Sequence, residues 1–483
     1  MKKYLLLLLS ASGMSLGTLH AQSISEMPVR QPFELPQALR LEKSGLTAAT
    51  AQRNSNSTGR KPGKATTYGW NFAANQWQTT ASVEAYTYDS QGRLAQIVER
   101  DSATQRLTER ISWTYNAAGL QTSDLQEKWD GTVWQNQSRS QDTYNSFGSL
   151  TEHLEQSWVN GAWQNLFRFT LDYDARHHIV ASTNAAWRNN AWVITYGTRA
   201  TVTYNAAGAV LEETQDYLDP TSGLYSPGPR RRYAYPSPTA LEYSERIDQQ
   251  WRPASNTYEN QQRIANIGRD AQGRETSSES EYWINGAWVL SSRFTTAYQA
   301  NGSTQGLYEQ RQNNAWVGLG RYTHSFDEHG NELGNVSEIF ANNAWSVQEA
   351  YRYILRYNAA QDLVARIRQN YDTTAKSYYS SLKHIYSGFQ SITLGVNPAA
   401  ALAAQTQLYP NPTEGAATLV LSGLSNQAIP AEIVNSLGQV VQRLTLQPHQ
   451  GHMELDLSSQ PAGMYIVHLQ TAAGLVVKKV VRK

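Results

Sequence analysis

The chain has 483 residues, too many for one ordinary core. Its formal charge is +1 with 17% charged residues, which gives a nucleic acid or an anionic membrane nothing to attract. It has no cysteine, so neither disulfides nor thiolate chemistry enter, while 14 Trp and 28 Tyr favour pleated surfaces that accept large aromatics.

The first residues read as an export signal. Lys2 and Lys3 are basic, residues 5–9 are all leucine, and small residues lead to Ala21, with Gln22 as the expected mature N-terminus. A buried N-terminal helix is the competing reading, and the polar sequence downstream disfavours it. No later stretch is long and apolar enough for a transmembrane helix. Residues 22–67 are polar and without period, and read as a flexible lead-in.

Residues 68–395 carry one unit used about eleven times. An aromatic, an Asn or Asp, two residues and a Gly recur, best in Tyr88-Asp89-Ser90-Gln91-Gly92, at spacings of 27 to 34 residues as far as Tyr386. So regular a period outranks local arguments about fold. Between these turns lies a second block, clearest in Trp158-Val159-Asn160-Gly161-Ala162-Trp163 and repeated at residues 283–288. Asn-Gly favours a two-residue type I′ hairpin, in which both central residues take positive φ. That loop pairs Val159 with Ala162 and sets Trp158 against Trp163. These tryptophans are read first as a hairpin clamp and second as a surface for stacking a ligand.

Parity along the strands places Trp163, Phe167, Phe169, Leu171 and Tyr173 on one face, with Gln164, Leu166, Arg168, Thr170 and Asp172 on the other. The same count places Ile194, Tyr196, Ala200, Val202 and Tyr204 with Trp192. Each repeat is then two antiparallel strands. About twenty of them in one meander must twist and curl. The predicted class is all-β: a long antiparallel array with two strands per repeat, rolled or superhelical, followed by a small β-sandwich. An outer-membrane barrel competes, but Asn136, Ser138, Ser140 and Asp142 are too polar for a lipid-facing row. Residues 86–97 (YTYDSQGRLAQI) resemble a YD repeat of the RHS type, and this resemblance, over roughly residues 68–395, implies a β-shell.

An Ala-rich linker with Pro398 spans 396–406, and residues 407–483 form a further domain. Its marks are Pro410-Asn411-Pro412, an Asn435-to-Val441 block containing Gly438, the run Gly463-Met464-Tyr465, and a basic end with Lys478 and Lys479. Alternating apolar residues between short turns read as a sandwich of the adhesion-module kind. Together the motifs resemble the type A sorting domain of type IX secretion in Bacteroidota. That resemblance implies Sec export, the type IX machinery as partner, removal of the domain, and a product released or anchored on surface lipopolysaccharide.

Catalytic and metal motifs are not found: there is no zincin, nucleophile-elbow or EF-hand pattern. Residues 59–64 only superficially suggest a phosphate loop, since Ala65 stands where Ser or Thr is needed. His177 with His178, and His449 with His452, lack a third ligand. Asp89, Asp174 and Asp327 recur as calcium sites would, yet Asn replaces them elsewhere as in a plain turn. No cofactor, metal or enzyme activity is expected. The expected function is a structural, adhesive or binding protein, contacting a glycan or a host or matrix protein. A glycan-binding module is the alternative, and a polysaccharide hydrolase the distant one.

Overall fold

The computed structural model describes residues 60–145, 148–391, 402–403, 405–420, 428–435, 440–446, 452–471 and 474–483. Ala21, Gln22 and Gly438 lie outside the described residues. Among the described residues, no helix is long and apolar enough to cross a membrane.

The protein is all-β. Twenty-two antiparallel strands form a closed ring, and residues 407–483 add a three-stranded and a four-stranded sheet. Of the rolled or superhelical array expected from the sequence, the structure shows a rolled one that closes on itself. Strand Lys64–Asn71 pairs on one side with Ser82–Tyr88 and on the other with Ser377–Ser387, the last strand of the array. Among the described residues, strand structure is present from Arg60 on, within the segment expected to be a flexible lead-in. An even number is required: strands that alternate in direction around a ring must meet the first one antiparallel.

At ~4.8 Å per strand the ring has a perimeter of roughly 105 Å, too wide for side chains to fill from one wall to the other. Burial agrees. In strand Leu107–Tyr115 every residue but Thr114 is half-buried, so both of its faces meet solvent. The ring's contiguous buried cluster is confined to the seam: Ala65, Tyr86, Leu94, Ile97, Leu363 and Tyr386, backed by Trp113 and Phe389.

The hairpin tips form as their residues dictate. Asn160 and Gly161 have φ of 51° and 80°, and Asn285 and Gly286 of 51° and 82°. Asn tolerates this region and Gly is at home there. Val159 pairs with Ala162, and Trp158 with Trp163, whose rings meet edge to face 5.0 Å apart. At the other end of each unit, Asp89 accepts hydrogen bonds from the Gln91 and Arg93 amides, both at 2.9 Å, and Gly92 takes a φ of 74°.

The parity reading fails, for a single reason. Three residues past the second aromatic of a hairpin sits an extra residue with no partner across the hairpin: Gln137, Leu166, Thr195, Gln261, Ser291, Leu319, Gln348 and Ser381. Each is a β-bulge, which offsets the alternation by one. Trp163 and Asn165 therefore share a face with Arg168, Thr170 and Asp172. Phe167, Phe169, Leu171 and Tyr173 lie on the other face. Tyr196, Ala200, Val202 and Tyr204 are likewise opposite Trp192, and Asn136 is opposite Ser138, Ser140 and Asp142. The ring thus has a tryptophan face and a tyrosine face.

The bulge also limits pairing between hairpins. In six repeats it starts at the next residue (Ser138, Phe167, Gln262, Ser292, Gly320 and Leu382). Four or five residues of each such strand, roughly 14–17 Å, then project beyond the wall without a neighbour on that side.

Candidate functional site

In the C-terminal unit the proposed sorting residues come together from both ends of the segment. The Asn411 side chain donates to the Lys479 carbonyl at 2.8 Å and accepts from the Val481 amide at 2.9 Å. Pro410 and Pro412 flank this clasp and are exposed, as is Lys479. Lys478 reaches the Ala403 carbonyl at 2.7 Å. Tyr465 is buried and donates to the Pro461 carbonyl at 2.7 Å, while Gly463 pairs with Arg482. Leu419, Ile433, Val467, Leu469, Val476 and Val480 form the core.

On the tryptophan face the structure reveals a girdle that the parity count concealed. Arg110, Arg139, Arg168, Arg199, Arg230, Arg263, Arg293, Arg321 and Arg352 each stack on an aromatic ring of the following hairpin, at 4.1–5.2 Å from the ring centroid. Lys383 closes the series over Tyr68 and Trp77. An arginine five residues past an aromatic has the wrong parity for its face until the bulge at the third position is counted. Each stack is worth about 0.5–1 kcal/mol at such half-exposed sites and ties one repeat to the next. Most of these arginines also hydrogen-bond an acceptor two residues before the next hairpin's first aromatic, as Arg110 does Glu127 and Arg139 does Gln156.

The splayed tips leave notches. Between the hairpins turning at Asn160-Gly161 and Asn189-Asn190 lies an open notch of about 430 Å³, lined by Trp163, Gln164, Asn165, Trp187, Asn189 and Asn190. Gln156 donates to the Asn165 side chain at 2.7 Å and thereby orients it. The amides of Gln164, Asn189 and Asn190 are exposed, and with two indoles they make a surface of flat apolar rings and neutral hydrogen-bonding groups.

The tyrosine face holds buried titratable groups at the seam. At the seam, Tyr386, Ala65, Glu84 and Glu99 stand in one cross-strand row, with His384, Thr67 and Ser82 in the next row on that face. Burial, then the like charges of Glu99 and Glu109, push the Glu84 carboxyl up against the opposing hydrogen bond from Tyr86. Burial, then the Arg366 charge, push His384 down to about 4, and its Nδ1 lies 3.0 Å from the Thr67 hydroxyl. Both groups favour their neutral forms in the folded state. His384 therefore costs stability as pH falls from about 6.5 to 4, and Glu84 costs stability as pH rises above the ordinary carboxylate range. The His384 term amounts to about 3 kcal/mol. We expect His384→Asn to flatten the acid side of a stability profile recorded from pH 7 down to 4. An unchanged slope would show that another group governs it.

The remaining candidates are placed in turns. Asp174 accepts from the Arg176 and His178 amides and from the Tyr204 hydroxyl of the next repeat, and Asp327 does the same with His329, Asn331 and Tyr357. His177 meets Glu432 at 2.9 Å and His178 meets Glu213 at 3.7 Å. His449 lies outside the described residues. Among the described residues, no three His, Asp or Glu side chains converge as a metal site.

No curated protein matches the chain in sequence. Among solved structures it is similar to a chain of the Photorhabdus luminescens Tc holotoxin pore, at 12% identity over 84% of this chain and 26% of that one, with a TM-score of 0.27. A porin-like protein from Bacteroides uniformis is 8% identical over 68% of this chain and 97% of its own, with a TM-score of 0.20. A protein of unknown function from Bacteroides fragilis is 12% identical over 32% and 89%, with a TM-score of 0.17. At these TM-scores the likenesses carry no argument, and ring closure rests on the strand pairing described above. Residues 407–483 match the family of secretion system C-terminal sorting domains, so this segment addresses the chain to type IX secretion and the protein is secreted or displayed on the outer cell surface.

Proposed function

We propose that the exported ring is a multivalent binding protein whose hairpin crown grips polysaccharide through its notches. The observation that carries this reading is the notch at Trp163 and Trp187, where two indoles flank neutral amides. Sugar rings present apolar faces and a rim of hydroxyls. Indoles suit the faces, and Asn and Gln, which both donate and accept, suit the hydroxyls. One such contact is weak. Similar clamps recur around the ring, so a long polymer engages several at once and gains by effective concentration. A sorting domain that delivers the chain to the cell exterior puts it where such polymers are met.

The test is retention of the mature secreted protein on insoluble glycans and on host-matrix proteins, at low and at high salt, with release of reducing ends measured in parallel. Retention on a neutral glycan should survive high salt, because the notch lining carries no charge to be screened. Trp163→Ala combined with Trp187→Ala should weaken it. Retention on matrix proteins alone would replace the glycan reading with an adhesin. Glycan cleavage lost in Glu99→Gln would replace it with hydrolysis, in which Glu84 and Glu99 would form a cross-strand carboxyl pair.

A further inference from the structure

One arginine of the girdle is built differently. Eight of its arginines hydrogen-bond an acceptor supplied by the following strand: Glu127, Gln156, Asp216 and Gln249, then Glu281, Glu309, Glu338 and Gln369. For the remaining arginine, Arg168, the acceptor position is Ala185, in register with it and 2% exposed. The Arg168 side chain makes no hydrogen bond or ion pair among the described residues. Its contact is the stack on Trp192, 4.8 Å from the ring centroid. A guanidinium has five N–H donors in a fixed plane and no acceptor, and this one is half-exposed, so solvent or a ligand can reach it.

Its place in the fold gives the vacancy meaning. Arg168 shares the tryptophan face with Trp163 and Asn165, and Ala185 shares it with Trp187, two residues along the strand. Trp163, Asn165 and Trp187 line the notch, and Trp192 packs edge to face on Trp187 with centroids 5.0 Å apart. The guanidinium is not part of the notch lining but neighbours it, stacked on an indole that packs against the notch residue Trp187.

We infer that this notch takes a carboxylate-bearing sugar, a uronate unit of an acidic polysaccharide, with Arg168 as the group that recognises the carboxylate. The inference rests on the glycan reading and sharpens it. The indoles and amides take the sugar ring, and the planar carboxylate matches the guanidinium fork with two parallel N–H···O bonds. The other repeats lack this preference because their arginines are already occupied from within the fold.

The probe is a galacturonate oligomer and its methyl ester, titrated into the mature secreted protein. The wild type should bind the acid about tenfold more tightly than the ester at low salt, the usual margin of a charge-assisted over a neutral hydrogen bond in a half-exposed site. Arg168→Gln should erase the preference. Ala185→Glu, which supplies the missing acceptor, should erase it too while ester binding is kept. Ala185→Gln does the same with the side chain that Gln156 provides one repeat earlier, and guards against a fold defect in the acidic variant. Equal affinity of the wild type for acid and ester overturns the inference and leaves the glycan reading standing. So does a preference that survives both Ala185 variants. Binding of neither probe, nor of any other glycan, overturns both.

Discussion

Deleting residues 407–483 should leave the protein in the periplasm of its native host, with little or none on the surface or in the medium. The sorting match lies entirely in this segment. Its parts are interdependent, because Asn411 near its start is bonded to the strand Gly474–Arg482 at its end. Removing that last strand alone should therefore be as damaging as removing the whole segment. Val476 and Val480 are fully buried, and each contributes about 1.5–3 kcal/mol of apolar burial. Their loss opens the four-stranded sheet and frees the Asn411 clasp. The measurement is fractionation of full-length and truncated chains into periplasm, surface and medium. Surface display of either truncated chain would mean that the address lies elsewhere.

What the sequence showed depended on whether a signal was local. The period, the aromatic clamps and the Asn-Gly tips were legible because type I′ geometry fixes which residues face each other within six positions. The sorting motifs were legible as words, but the clasp of Asn411 on the final strand joins residues about seventy positions apart and leaves no spacing rule. Facing was lost at the bulge. Leu166, Thr195 and Ser291 have nothing in common as side chains, so no residue type announces the offset, and a strict alternation carried past it assigns Arg168 to the wrong side. The girdle itself was within reach. Its cations recur every 28 to 33 residues from Arg110 to Lys383, the same period as the turns, and a search for charges at that period would have found it. Closure was hidden differently, since the closing strand Lys64–Asn71 precedes the first repeat turn and starts in sequence that reads as lead-in.

That closing strand should decide whether the ring exists as a ring. It is antiparallel to both Ser82–Tyr88 and Ser377–Ser387, which makes those two parallel to each other. If residues 60–71 are deleted, the remaining 21 strands cannot close by sliding, because the exposed neighbours would have to form a parallel ladder with a different hydrogen-bond pattern. The seam core fails at the same step. Ala65 is fully buried between Tyr386 and Glu84, and without it the Tyr86 and Tyr386 rings lose the floor that joins them. Two aromatic-rich strands then offer unpaired edges to solvent and to other copies of the chain. We expect the deleted protein to elute as oligomers or aggregate on size exclusion. Amide protons of Ser82–Tyr88 and Ser377–Ser387 should exchange far faster than in the intact ring, while those of strands opposite the seam, such as Thr257–Arg269, keep most of their protection. Deleting only residues 72–75 at the adjacent tip removes exposed turn and leaves the pairing of Lys64 to Thr67 with both neighbours in place, so that protein should remain a monomer with a protected seam. A monodisperse product of the larger deletion, with slow exchange in both edge strands, would show that the sheet holds its curvature without closing.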